Sequence, residues 1–173
     1  MLFRSTATVF TQVGLSWPDA LHLAELSFAD TDALHGAGAP NPPRPTEGLH
    51  PLIQRLRGSG LRCAVISNDH TEGIEAFLEN HGLADDFEAL WSADDHPRKP
   101  DAGAVHGLCA LLGVAAGRCA LIGDADSDLR MARAAGVPVV LGYRAGWRSP
   151  PRLESGSLEL RHWDELSAMP LEC

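Results

Sequence analysis

The 173-residue sequence contains a single lysine, Lys99; its other thirteen basic residues are arginine. Against 23 Asp and Glu these fourteen leave a formal net charge of −9. A chain without a basic excess lacks the face needed to neutralise a phosphate backbone, so no nucleic-acid partner is expected. No apolar run approaches the ~20 residues of a membrane span, so no membrane partner is expected either. The first ten residues hold one arginine and no sustained apolar core, a poor signal peptide. Cysteine is scarce and scattered, at 63, 109, 119 and 173, with no short paired spacing. That fits neither a zinc site nor a disulfide framework, and a reducing cytoplasm is the simpler setting. What is present is an ordinary 45% of apolar residues, enough for a globular core, and a length that suits one domain or one core with an appendage.

Two regions separate by composition. Residues 1–35 read as helical, with Ser16 as an N-cap and Pro18 in the first turn. Residues 36–47, GAGAPNPPRPTE, hold too much proline and glycine for a regular element and read as a hinge. From Gly48 the pattern alternates. Leu49, Leu52, Ile53 and Leu56 mark one helical face, and further helices are predicted over 71–82, 101–113 and 127–136. Between them 61–67, 89–92, 119–122 and 138–142 are apolar runs too short for helices, hence buried strands. Strands alternating with helices predict an α/β fold: a doubly wound, Rossmann-like parallel sheet covered on both faces. The core is expected over 48–147, and 148–173 as a less regular extension packed on it, with a last helical turn near 162–168.

Ligands of an open parallel sheet bind beyond the carboxyl ends of its strands. The first strand ends in Ser67-Asn68-Asp69, where a hydroxyl and free N–H groups at a helix start suit an anion. The second is followed by Lys99, a compact ammonium able to neutralise a phosphate and a neighbouring carboxylate. The third runs into Asp124, Asp126 and Asp128, carboxylates that repel unless a cation lies among them, and Mg²⁺ takes such oxygen ligands. Each alone has a plain structural reading: turn chemistry for Ser67, helix capping for the acids, a solvated surface charge for Lys99. What raises the functional reading is that all three follow successive strands and so converge on one edge. Trp91 and the residues Arg144 and Trp147 lie near the same edge, Trp91 more in keeping with packing than with a substrate mouth.

In AVISND, RKPDAGAV and LIGDADSDLRMARAAGV the chain resembles haloacid dehalogenase superfamily phosphatases of the phosphoglycolate-phosphatase-like type. The resemblance covers roughly residues 46 to 147 and implies roles. Ser67 and Asn68 would bind the transferred phosphoryl group, and Lys99 would pair with it and with the nucleophile. Asp124 would hold Mg²⁺, with Asp128 supporting the metal directly or through water. Asp126 falls at a variable position of the pattern.

One part of that pattern is lacking. No D-x-D-x-[TV] precedes residue 67, so the nucleophilic aspartate and its central strand are missing, and residues 1–35 resemble the second half of a helical cap. The expectation is therefore a Mg²⁺-dependent phosphatase of a small phosphorylated metabolite, working through an aspartyl-phosphate, present as a fragment with little turnover alone. The alternative is a non-catalytic pseudophosphatase that binds a phospho-ligand or a protein; a receiver-like domain fits Lys99 and the acids less well. Loss of a central strand leaves unpaired backbone at 61–67 and 119–122. The two strands are expected to close up and pair directly, the alternatives being recruitment of a segment such as 6–13, or of a missing N-terminal fragment or another chain.

Overall fold

The computed structural model describes residues 14–24, 26, 43–145 and 158–167. The chain divides into two compact units, Met1–Pro43 and Arg44–Cys173. In the first, residues 17–24 are helical. Ser16 caps this helix: its oxygen accepts from the Asp19 N–H at 3.4 Å, and its hydroxyl donates back to the Asp19 carboxylate. Ala20 and Ala24, four apart on one face, are buried with Leu21 against them. The rest of the helical stretch expected over 1–35, and residues 36–42 of the hinge, lie outside the described residues.

The second unit runs α1 (Leu49–Gly58), β1 (Ala64–Ile66), α2 (Thr71–Asn80), β2 (Ala89–Trp91), α3 (Ala102–Leu112), β3 (Ala120–Gly123), α4 (Asp126–Ala134), β4 (Val139–Tyr143), β5 (Leu158–Leu160) and α5 (Trp163–Ser167). Local chemistry sets the boundaries. The Asp101 carboxylate accepts the Gly103 N–H at 2.7 Å at the start of α3, and Gly113 closes that helix at φ 66°, a left-handed conformation that a residue without Cβ adopts freely. Asp126 and Asp128 occupy the first turn of α4, where negative charge suits the helix dipole.

Among the described residues every strand pair is parallel. The period of two sorts side chains onto two faces. Ile66, Trp91, Leu121 and Val140 face the cluster built on Val105 and Cys109 of α3 and Met131 and Ala132 of α4. On the opposite face Val65 and Leu90 meet Ile74 and Leu78 of α2, whereas Ile122 and Leu141 meet Leu52 of α1 and Leu166 of α5. This is the doubly wound arrangement the sequence predicts.

Two expectations are corrected. Among the described residues β1 pairs only with β2, and β3 only with β4, so the layer is two pieces, β1-β2 and β3-β4-β5. The strands at 61–67 and 119–122 do not close up. The Ile66 carbonyl, which direct pairing would turn over to a β3 N–H, accepts instead from Lys99 Nζ at 3.4 Å. Helices tie the pieces together: α3 and α4 pack on each other over one face, while on the other α1 sends Leu49 to the cluster over β1-β2 and Leu52 and Leu56 to the cluster over β3-β4-β5. The second correction concerns residues 158–160, expected as irregular extension. They form β5 at the outer edge, with Leu160 buried. Three residues give too short a pattern to be read against their surroundings; pairing with β4 decides their conformation.

Candidate functional site

The gap between β1 and β3 opens as a cavity of about 580 Å³. Ile66 and Ser67 line it from the end of β1, Leu121 to Gly123 from β3, Asp124, Asp128 and Met131 from the segment beyond β3, and Lys99 from the loop after β2. Tyr143, Ala145, Trp163 and Thr46 complete the wall. Four of the five residues singled out in the sequence thus border one space: Ser67, Lys99, Asp124 and Asp128. Asn68 is exposed and is not part of the wall. A smaller cavity of about 360 Å³ near Arg44, His50 and His81 holds none of the five.

Lys99 is central to the geometry. Its Nζ lies 3.0 Å from Asp128 Oδ1, and the two side chains are 12% and 9% exposed. A nearly buried ion pair that also touches a backbone carbonyl is fixed in place, because separating either charge from its partner leaves it poorly solvated. Asp128 is placed by the first turn of α4 packing on Gly123 at the tip of β3. Ser67 follows β1 directly; its N–H donates to the Trp91 carbonyl at 2.9 Å, which carries the β1-β2 pairing one residue further. Its hydroxyl donates to Asp69 Oδ2 at 2.7 Å, and the Asp69 N–H returns a bond at 3.2 Å. The turn chemistry and the position at the cavity therefore coexist in one residue. Asp126 pairs with Arg130 one turn on, at 3.5 Å.

Beside this edge the Asp94 carboxyl is held down to about 2, first by the Thr71 N–H donating to it and then by His70, whose Nδ1 lies 2.7 Å away. Trp91 packs its ring on Gly107 and donates from Nε1 to the Pro97 carbonyl at 3.0 Å, a packing role. Arg144 pairs with Glu159 at 2.7 Å, and Trp147 lies outside the described residues.

The sequence reading missed the aromatic wall. Tyr143 and Trp163 stack with centroids 3.8 Å apart and planes at 11°, and Trp163 Nε1 donates to Thr46 Oγ1 at 2.7 Å. Tyr143 was findable, since it ends β4 at the same carboxyl edge; Trp163 and Thr46 come from distant stretches with no pattern linking them. Asp124 and Asp128 offer hard oxygen donors on one side of the cavity. The described residues contain no group of three metal-ligating side chains. Mg²⁺ commonly takes only one or two carboxylates beside water and phosphate, so the donor set fits that ion.

Residues 18–136 match the family described as haloacid dehalogenase-like hydrolases. A phosphoglycolate phosphatase of Thiobacillus denitrificans is 38% identical over 107 residues, which is 60% of this chain and 47% of that one. A plasmid-borne phosphoglycolate phosphatase of Cupriavidus necator is 33% identical over 156 residues, 88% of this chain and 62% of that one. This chain therefore spans about half to three-fifths of the length of these relatives. The crystal structure of a haloacid dehalogenase-superfamily hydrolase from Ehrlichia chaffeensis superposes with a TM-score of 0.64 at 19% identity, covering 92% of this chain and 70% of the other. Among the described residues no helix is long and apolar enough to cross a membrane. With the strand-tip residues gathered on one cavity and the family match covering most of its length, this chain belongs to the haloacid dehalogenase-like hydrolases.

Proposed function

We propose that the chain is the phosphate-handling and metal-handling part of a Mg²⁺-dependent phosphatase acting on a small phosphomonoester. The observation that carries the reading is Lys99 Nζ, held 3.0 Å from Asp128 in a cavity that Ser67 and Asp124 also line. An ammonium, a hydroxyl and two carboxylates lining one cavity offer complementary groups for a phosphoryl group and a divalent cation. Lys99 would neutralise phosphoryl oxygens, Ser67 would donate to one of them, and Asp124 with Asp128 would hold Mg²⁺, which supplies charge neutralisation when bound. Phosphoglycolate is the first substrate to try, because the relatives above are phosphoglycolate phosphatases.

An aspartyl-phosphate route needs a carboxylate to attack phosphorus while the ester oxygen leaves with its electron pair, and water then cleaves the acyl-phosphate. Asp124 and Asp128 are the carboxylates lining the cavity among the described residues, and metal binding would occupy both. The chain alone is thus expected to bind phosphate without turning over an ester. A cytoplasmic setting agrees with Cys109 and Cys119, free thiols with sulfurs 3.8 Å apart.

Calorimetry with inorganic phosphate in the presence of Mg²⁺, paired with p-nitrophenyl phosphate hydrolysis, tests the reading. Saturable phosphate binding lost in Lys99→Ala, with no turnover, is expected. Absence of phosphate binding at millimolar concentration would remove the reading. Turnover by the chain alone, abolished in Asp124→Ala, would keep the phosphatase and remove the inactivity.

A further inference from the structure

We infer that Cys109 and Cys119 are a redox-convertible pair: a low-molecular-weight disulfide oxidises them to an intramolecular disulfide that locks α3 onto the start of β3, and a small thiol reverses it. Three observations converge on it. The two sulfurs, both free thiols, lie 3.8 Å apart. Cys109, near the end of α3, and Cys119, just ahead of β3, belong to one packed cluster. The connection between them is short and open. The Val114 N–H donates to the Cys109 carbonyl at 3.0 Å and the Cys119 N–H to the Ala116 carbonyl at 3.1 Å, so the chain turns back on itself there. Gly113, Ala115, Gly117 and Arg118 in that turn are exposed, and a Cβ on Gly113 or Gly117 meets nothing within 4 Å. A disulfide needs the sulfurs at about 2.05 Å, and this turn is where the backbone has room to give. The other use of two adjacent thiols is a metal site, which takes three or four ligands. Among the described residues no third ligating side chain joins the pair.

The surroundings set the order of attack. Cys109 is 7% exposed, whereas Cys119 is half-buried and its thiol meets the Ala115 carbonyl of the open turn at 3.5 Å. A dissolved disulfide RSSR therefore reaches Cys119 first. The Cys119 thiolate attacks one sulfur of RSSR, the S–S bond breaks, and RS⁻ leaves and takes up the proton that Cys119 gave away. Cys109 then attacks the Cys119 sulfur of the mixed disulfide. The Cys119–SR bond breaks, and the second RS⁻ leaves and takes the Cys109 proton. The protein gives up two electrons and two protons, and RSSR receives both as two RSH. Burial keeps Cys109 in its thiol form, and the Cys119 thiol beside it adds to that hold. A Cys119 already bonded to RS no longer ionises, so its share of the hold is gone when Cys109 has to act. Leu121, two residues beyond Cys119, and Met131 pack in the same cluster and line the large cavity, which places the lock behind the cavity wall. The inference uses no phosphate chemistry and stands if the phosphatase reading falls.

The test is incubation of the full chain with oxidised glutathione at pH 8, followed by peptide mass mapping without reductant. Arg118 stands between the two cysteines, so trypsin puts them on different peptides that only a disulfide rejoins. A linked Cys109–Cys119 pair that dithiothreitol removes is expected. The oxidised chain should have the higher urea midpoint, and by linkage the disulfide should be about tenfold more favoured over the dithiol in the folded chain than in urea. Cys109→Ala should stop at a glutathione adduct on Cys119, and Cys119→Ser should leave Cys109 unmodified. No linked pair would overturn the inference, as would linkage through Cys63 or Cys173 in its place. A lower urea midpoint for the oxidised chain would mean that the fold resists the bond, and would remove the lock. A glutathione adduct on Cys109 in Cys119→Ser would overturn the order of attack.

Discussion

Gly123 and Asp128 touch so closely that a Cβ on Gly123 would lie 2.5 Å from the Asp128 Cβ and 3.0 Å from its Oδ2. The tip of β3 and the first turn of α4 therefore meet at van der Waals contact, and the pairing of Asp128 with Lys99 depends on that contact. Gly123→Ala must push Asp128 away from Lys99. Overpacking of this kind costs about 1–3 kcal/mol, read as a lower urea midpoint. Phosphate affinity should fall with it. Gly117→Ala is the control, since a Cβ there meets nothing within 4 Å; its stability should stay within about 0.5 kcal/mol of the parent.

Lys99 and Asp128 form a pair shielded from water on both sides. Lys99→Met leaves the Asp128 carboxylate buried without its cation, a change that costs about 3–5 kcal/mol in comparable pairs. The double variant Lys99→Met, Asp128→Leu removes both charges and should regain most of that loss, while phosphate and Mg²⁺ binding stay absent. Chemical denaturation of the parent, of Lys99→Met, of Asp128→Leu and of the double variant gives the coupling. A double variant no more stable than Lys99→Met would show that the pair is not the source of the loss.

How far the sequence reached follows from which interactions decide each feature. The helices of the second unit were legible because their apolar faces recur at helical spacing, as with Leu52 and Ile53 on α1. The clustering of Ser67, Lys99, Asp124 and Asp128 was legible because parallel strands bring their carboxyl ends to one edge. The split layer was not. Whether β1 and β3 pair depends on contacts between distant stretches, such as the Lys99 ammonium that meets the Ile66 carbonyl at 3.4 Å, which local patterning does not encode. β5 was hidden for a related reason: Leu158 is exposed and Glu159 pairs with Arg144, so only Leu160 carries an apolar signal.

Cys109 should be the slowest thiol of the described residues to react. Burial pushes it up to about 11, and its contact with the Cys119 sulfur adds to the shift. The thiolate is the nucleophile, so little of it exists at Cys109 near neutral pH. Iodoacetamide at pH 8 should leave Cys109 unmodified in the folded chain by peptide mass mapping, with labelling appearing only through the urea transition. Labelling of Cys109 in native buffer as fast as in urea would contradict the buried position.

Asp94 sets an acid limit on α2. The first residue of that helix, Thr71, donates its N–H to Asp94 Oδ2 at 2.9 Å, whereas His70 at the N-cap position makes no side-chain capping bond. A carboxylate from the β2–α3 loop thus does the capping work of a local residue. Its folded value of about 2 lies below the ordinary 3.8, so the stabilisation is complete above 3.8 and disappears as the pH falls toward 2. Urea midpoints between pH 6 and pH 2 should fall more steeply for the parent than for Asp94→Asn, which cannot ionise. Carboxyl NMR titration separates the causes. Thr71→Pro removes the N–H at a position where proline is tolerated and should raise the Asp94 midpoint more than His70→Ala does. A larger shift in His70→Ala than in Thr71→Pro would mean that the imidazole, rather than the helix N–H, is the main hold on the carboxylate.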